Sequence, residues 1–323
     1  MAGDKILRVL DTALLFLLAV HAPICTASSR PQMRGVAVSP DGKIIAVTCA
    51  RGRARFIYKI DIDTGIATRL TDVRTGKESS PAFSADGKLF AYSYVPDGQH
   101  QRIIVMNVDG SNPHSLPSSD TANLYSTFAP DSEKIYFGRS QPFPADHLWD
   151  IFSVRVDGSN LTQLTREGFY QISAPSPSPD GRSMVIATQG LDTTQQIVVY
   201  SLEHPEKPSQ VLHPRVPNEA SPGPIFGYPN YMPDGKHILF LAASNRRLGY
   251  SYDVYRLDLE AGGLEQLTKG NGFASDLKIF ADGKTALFLR WHSDWHGTPV
   301  RSELYLLDLQ THKLTPFKIT GLE

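Results

Sequence analysis

Ser178-Pro179-Asp180-Gly181-Arg182-Ser183-Met184-Val185-Ile186-Ala187 reads as a tight turn that runs straight into a β-rich segment. Proline presets the φ of the second turn position, and glycine supplies the positive φ that closes the turn. The element recurs as Pro40-Asp41-Gly42-Lys43, Ala85-Asp86-Gly87-Lys88, Pro130-Asp131-Ser132-Glu133, Pro233-Asp234-Gly235-Lys236 and Ala281-Asp282-Gly283-Lys284. Its aspartates, Asp41, Asp86, Asp131, Asp180, Asp234 and Asp282, lie 45, 45, 49, 54 and 48 residues apart. The third copy has Ser132 where the others have glycine, so that turn is expected to strain Ser132 or to adopt another type.

Outward from the turn the pattern stays regular. A short β-rich run follows each copy, as in Ile44 to Val47 or Ile238 to Leu241; then come a variable stretch and a strand with period-two alternation, such as Val154 and Val156 against Ser153 and Arg155. A last short segment, such as Thr162-Gln163-Leu164-Thr165, closes the unit, so each repeat carries four strands. Four strands per repeat of this length, with no amphipathic helix, predict an all-β, six-bladed β-propeller. The expected blades are 32–73, 78–118, 124–167, 172–214, 227–269 and 274–319. Two β-sandwiches would also suit a 323-residue chain with 25 Gly and 23 Pro, but they do not account for six copies of one turn. Each blade is expected to be contiguous chain, leaving ring closure to packing between the first and last blades.

The runs Val108-Asp109-Gly110-Ser111-Asn112 and Val156-Asp157-Gly158-Ser159-Asn160, with the Ser-Pro-Asp-Gly-Lys turns, resemble the repeats of the TolB-like six-bladed propeller family, also described as WD40-like Pro-Asp-Gly repeats. The resemblance covers the propeller part and implies the fold; its motifs are turns and strand ends and specify no chemistry. TolB-like chains carry a separate α/β domain ahead of the propeller. Only about a dozen residues lie between Ala27 and the first turn, so that domain is not expected here.

Residues 1–27 have the layout of a secretory signal peptide: Lys5 and Arg8, an apolar run from Ala13 to Val20, and small residues up to Ala27. The run is short for a bilayer span. The mature chain is therefore expected in the periplasm or secreted, without a membrane span and as a monomer. Cleavage after Ala27 removes Cys25 and leaves Cys49 as a small buried side chain without a disulfide partner. A formal net charge of −1 argues against general nucleic-acid binding.

In a propeller the repeated turns share one face, and the loops between the second and third strands share the other with the connections between blades. The second face holds the variation. Its loops carry His147, Trp149, Arg246, Arg247, Tyr250, Tyr252, Trp291 and Trp295, including all three tryptophans, and are expected to form a binding face for a protein or peptide. The competing reading is that these rings pack loop against loop. His292, Asp294 and His296 are the candidate ligands for a divalent metal. That leaves an alternative of a metal-dependent enzyme on acidic saccharides, similar to oligogalacturonate lyases; otherwise no cofactor is expected. The chain has no Gly-x-Ser-x-Gly elbow, His-Glu-x-x-His or Walker sequence, so a non-enzymatic scaffold is the leading expectation.

Overall fold

The computed structural model describes residues 32–322, except 53, 73–75, 97–99, 119–120, 143, 191–194, 217–224, 247–248, 271 and 294–298. For 244–246, 249–250, 293 and 299–300 it describes the backbone alone. The leader segment, Asp294, Trp295, His296 and Arg247 thus lie outside the described residues.

β1 (Gln32–Val38) turns at Asp41 into β2 (Ile44–Arg51), followed by β3 (Ala54–Asp61) and β4 (Ala67–Arg69) in an antiparallel meander. The same order repeats as β5 (Lys77–Phe83), β6 (Leu89–Val95), β7 (Arg102–Asn107) and β8 (His114–Ser115), then as β9 (Asn123–Phe128), β10 (Lys134–Ser140), β11 (Trp149–Arg155) and β12 (Thr162–Gln163). The next meander splits its first strand into β13 (Gln171–Ile172) and β14 (Ser176–Pro177), both paired to β15 (Ser183–Gln189), with β16 (Gln195–Ser201) and β17 (Pro208–Leu212) beyond. The last two are β18 (Ile225–Tyr231), β19 (His237–Arg246), β20 (Gly249–Asp258) and β21 (Leu264–Gln266), then β22 (Phe273–Ile279), β23 (Thr285–Ser293), β24 (Pro299–Asp308) and β25 (Leu314–Pro316). Among the described residues there is no α-helix, and no helix is long and apolar enough to cross a membrane.

The described strands form five hydrogen-bonded sheets, not the six separate ones expected. The first two meanders merge into an eight-stranded sheet because β3 meets β5 in a single parallel bridge, Arg55 to Lys77. The core is spread between neighbouring meanders. Ala46 and Ile57 pack with Phe90 and Tyr92, Val105 with Phe137, Ile151 with Met184 and Tyr200, Val199 with Phe240, and Val254 with Phe288. Leu287 and Leu304 of the last meander pack on Ile45 and Ile60 of the first, which closes the ring of an all-β propeller. Each fully buried Val, Leu, Ile, Met or Phe among them contributes about 1.5–3 kcal/mol by leaving water.

The turn is built as its sequence requires. Gly42 has φ 70° and donates its N–H to Ser39 O at 2.9 Å, while the Lys43 N–H reaches Asp41 Oδ1 at 3.1 Å. Ser132 keeps the glycine geometry at φ 61°, with its N–H on Ala129 O at 3.0 Å. It therefore carries strain rather than a different turn. Its hydroxyl accepts from the Asp86 N–H at 3.0 Å, tying two turns together.

Closure is not left to packing. After β25 the chain returns to the first meander, where the Ala67 N–H donates to Thr320 O at 2.8 Å and the Thr320 N–H to Gly65 O at 2.9 Å. The backbones meet so closely that a Cβ on Gly65 would lie 2.5 Å from Lys318 O. The Met33 N–H also donates to Ser302 Oγ at 2.7 Å, and that hydroxyl donates back to Met33 O at 3.0 Å.

Candidate functional site

The strands nearest the ring axis are β1, β5, β9, β13 with β14, β18 and β22. β1 touches β5 and β22, β5 touches β9, and β18 touches β14 and β22. Pairing with the following strand slips in each of β1, β5, β9, β18 and β22, the mark of a β-bulge; in the fourth meander the slip is the gap between β13 and β14. In the five slipped strands a residue at positive φ sits there: Gly35, Ser80, Tyr125, Tyr228 and Asp276. Each precedes its turn aspartate by six residues, as Asp276 precedes Asp282, and Ala174 occupies that offset in the fourth meander. Only glycine adopts this conformation without cost, so Ser80, Tyr125, Tyr228 and Asp276 held in it store strain of about 1–3 kcal/mol each.

Three of these side chains converge. Tyr125 and Tyr228 line one small, partly open cavity of about 30 Å³ with Gln171, Ser173, Gln189, Gln195 and Phe226. Burial raises the Tyr125 phenol to about 12, and the charge of Asp276 adds to the rise although β9 and β22 are not neighbours. Tyr228 is raised further by burial, then by Asp276 and Tyr125.

Asp276 is the centre of a polar network. Ser275 Oγ donates to its Oδ2 at 2.6 Å, Trp291 Nε1 donates to Ser275 Oγ at 2.9 Å, and the Gly35 N–H also bonds the carboxylate. Burial holds its pKa above the usual carboxylate range, against Ser275, Lys278, Gly35 and Arg34. Arg34 lies over the Trp291 ring at 5.1 Å. Burial lowers the Arg34 guanidinium to about 10, and repulsion from Arg55 lowers it as well. Lys278 is lowered by burial, with Asp276 opposing.

A second group of carboxylates stands at the same loop end, Glu78 near the start of the inner strand β5 and Asp150 near the start of β11. Glu78 is fully buried; Thr71 Oγ1 donates to its Oε2 at 2.5 Å and the Ile57 N–H at 2.9 Å, while Oε1 has no hydrogen-bond partner among the described residues. Burial raises it to about 7, against Thr71, Ile57 and Arg69. Asp150 accepts from Thr165 Oγ1, the Glu167 N–H and the Gly168 N–H at 2.9, 2.9 and 3.3 Å. Thr71, Thr165 and Thr268 each accept a backbone N–H of the third strand, from Ile57, Ile151 and Val254. Each of these threonines follows a leucine, so the recurring Leu-Thr pair ties the end of the blade to its third strand.

The sequence candidates separate. His147 is exposed, and Trp149 is half-buried on the cluster around Ile151 and Phe169. Trp291 and Tyr252 are not displayed: they are 7% and 4% exposed, in edge contact with Phe273 from either side. The loop expected at Trp291 is in fact strand, since β23 runs on to Ser293. Arg246 and Tyr250 lie at the tip of the β19–β20 hairpin, paired as Arg246 with Gly249 and Asn245 with Tyr250. His292 bonds Glu303 Oε2 at 2.9 Å, and Arg301 reaches Glu303 Oε1 at 3.1 Å. Burial would raise Glu303, but these partners outweigh it and hold its pKa low. Among the described residues no three His, Cys, Asp or Glu side chains form a metal-binding group. The structure thus occupies His292 with a carboxylate, while Asp294 and His296 lie outside the described residues. Cys49 is buried, its thiol raised to about 12 by burial.

Fold and site define a propeller with a polar axis. A model of the TolB beta propeller domain matches residues 21–224, more than half of the chain, and the chain belongs to that family. It is 33% identical over 150 residues to an uncharacterized protein of Agrobacterium fabrum, covering 44% of this chain and 50% of the relative. The chain spans half or less of the length of the curated relatives it matches. The crystal structure of TolB from Acinetobacter baumannii superposes with a TM-score of 0.54 at 18% identity, over 90% of this chain and 69% of that one. An oligogalacturonate lyase in complex with manganese superposes with a TM-score of 0.56 at 18% identity, over 88% of this chain and 77% of that one. At these identities the structural likeness shows the fold alone.

Proposed function

We propose that the chain is an exported, six-bladed propeller that binds a protein or peptide at the loop-rich end of its axis and performs no catalysis. Counting the merged eight-stranded sheet as two blades gives six, in keeping with six apolar clusters shared between successive meanders. The observation that carries the binding reading is the cavity at Tyr125 and Tyr228. Gln171, Gln189 and Gln195 line it with amides that both donate and accept, beside aromatic rings. Gln195 Oε1 already accepts the Phe226 N–H at 2.9 Å, so the wall is preorganised. Such a lining matches the alternating donors and acceptors of a polypeptide backbone.

Panning a displayed peptide library against the full chain tests this. The enriched peptide is expected to lose at least tenfold in affinity with Gln171→Ala, at an unchanged thermal midpoint. Undiminished binding by that variant would remove the cavity from the proposal. The metal-dependent alternative, on acidic saccharides, retains the fold likeness to the manganese-bound lyase. Elemental analysis of the chain with and without His292→Ala separates the two readings, and absence of stoichiometric metal sinks the enzyme.

A further inference from the structure

The axial cluster is unbalanced in charge. Arg34 and Lys278 both lie within electrostatic reach of Asp276, and Arg55 lies within reach of Arg34. Among the described residues neither Arg34 nor Lys278 makes an ion pair within 4.0 Å, and Asp276 spends its hydrogen bonds on Ser275 and the Gly35 N–H. Two cations thus face one carboxylate at a half-buried site where screening by water and salt is weak.

The site is also held in place. The bulge releases the Gly35 N–H from its ladder and turns it to Asp276. Trp291, fixed by Ser275, provides the platform on which Arg34 lies. An arginine held over an indole keeps N–H groups for a planar acceptor, and a carboxylate suits its fork. Tyr125 and Tyr228 stay protonated and add two hydroxyl donors, and these same tyrosines form the wall of the amide-lined cavity.

We infer that Arg34, Lys278, Tyr125 and Tyr228 form a binding site for a carboxylate presented by the polypeptide ligand, with Trp291 and Asp276 as its positioning residues. The inference rests on the polypeptide reading above and names the group that enters the axis. Its source is the peptide's free C-terminus, the carboxylate that stands next to the backbone amides matched by the cavity wall.

Isothermal titration calorimetry of the full chain with N-acetyl-triglycine, its C-terminal amide and digalacturonate tests it. The free acid is expected to bind at least tenfold more tightly than the amide. Arg34→Gln and Lys278→Met should each abolish that preference, bringing the affinity of the free acid down to that of the amide. Arg34→Lys, which keeps the charge, should retain part of it and guards against a misfolding explanation, as does an unchanged near-ultraviolet circular dichroism spectrum. Equal binding of acid and amide overturns the carboxylate site and leaves the polypeptide reading standing. Absence of binding by both, with digalacturonate bound, overturns the polypeptide reading itself.

Discussion

Two sets of carboxylates occupy opposite ends of the propeller and are pushed in opposite directions. At the turn end Asp41, Asp86 and Asp180 are held below the usual range, first by a serine hydroxyl and then by the backbone N–H two residues on. At the loop end Glu78 and Asp276 are held above it by burial. The turn set is repeated, exposed and punctuates the chain. The loop-end set is singular: Glu78 reaches back from β5 into the preceding meander, and Asp276 reaches the axis from a bulge. The same side-chain chemistry becomes structural grammar where water solvates it and a poised charge where water is excluded.

Glu78 offers the largest test of this contrast. Its folded pKa is raised, so its contribution to stability is full below the unfolded value near 4.5 and is lost as pH rises through about 7. Urea unfolding should show wild-type stability lower at pH 8 than at pH 5 by about 3 kcal/mol, the size of such a shift. Glu78→Gln should flatten that slope; an unchanged slope would mean that Glu78 is solvated like a turn aspartate. Next in size is Ser39→Ala, which removes the 2.6 Å bond to Asp41 and the acceptor of the Ile44 N–H. It should cost about 1 kcal/mol at pH 7. Because Asp41 is depressed, that cost should shrink as pH falls through its folded pKa, and a cost that grew on acidification would reverse the assignment. The smallest effect is expected from Asp276→Asn. Removing a half-buried charge should raise the thermal midpoint slightly at pH 8 and leave it unchanged at pH 4, whereas a loss at both would show that the ionised carboxylate holds the bulge together.

The turn end was legible because its residues are dictated locally: proline, aspartate and glycine satisfy one backbone geometry whatever surrounds them. The strands and the propeller class followed from their repetition. The axial site was hidden by the bulge. One inserted residue exchanges the two faces of a strand, so alternation counted from the turn assigns Arg34, Tyr125 and Asp276 wrongly. The constant offset of six residues before the turn aspartate was the available signal, masked because glycine fills it only at Gly35. Trp291 misled for another reason. A Trp-His-Ser-Asp run looks like loop, yet the ring is buried beneath Arg34, and only tertiary packing decides that. Merging of the first two sheets at Arg55 and Lys77 likewise depends on a contact that no local pattern announces.

The seam at Thr320 has a consequence for the order of events in biosynthesis. The residues it joins, Gly65 and Thr320, are 255 apart, so the first meander leaves the ribosome long before the segment that clasps it exists. Successive meanders can pack as they emerge, but the ring stays an open arc until Thr320 has been made. Closure is then the slow, long-range contact of the pathway, because the ends must find each other after all local pairing is complete. Until that moment the apolar surfaces around Ile45 and Leu287 stand open at the two ends of the arc. The nascent chain thus carries two sticky flanks that a holdase could recognise, and the finished ring carries none of that pair.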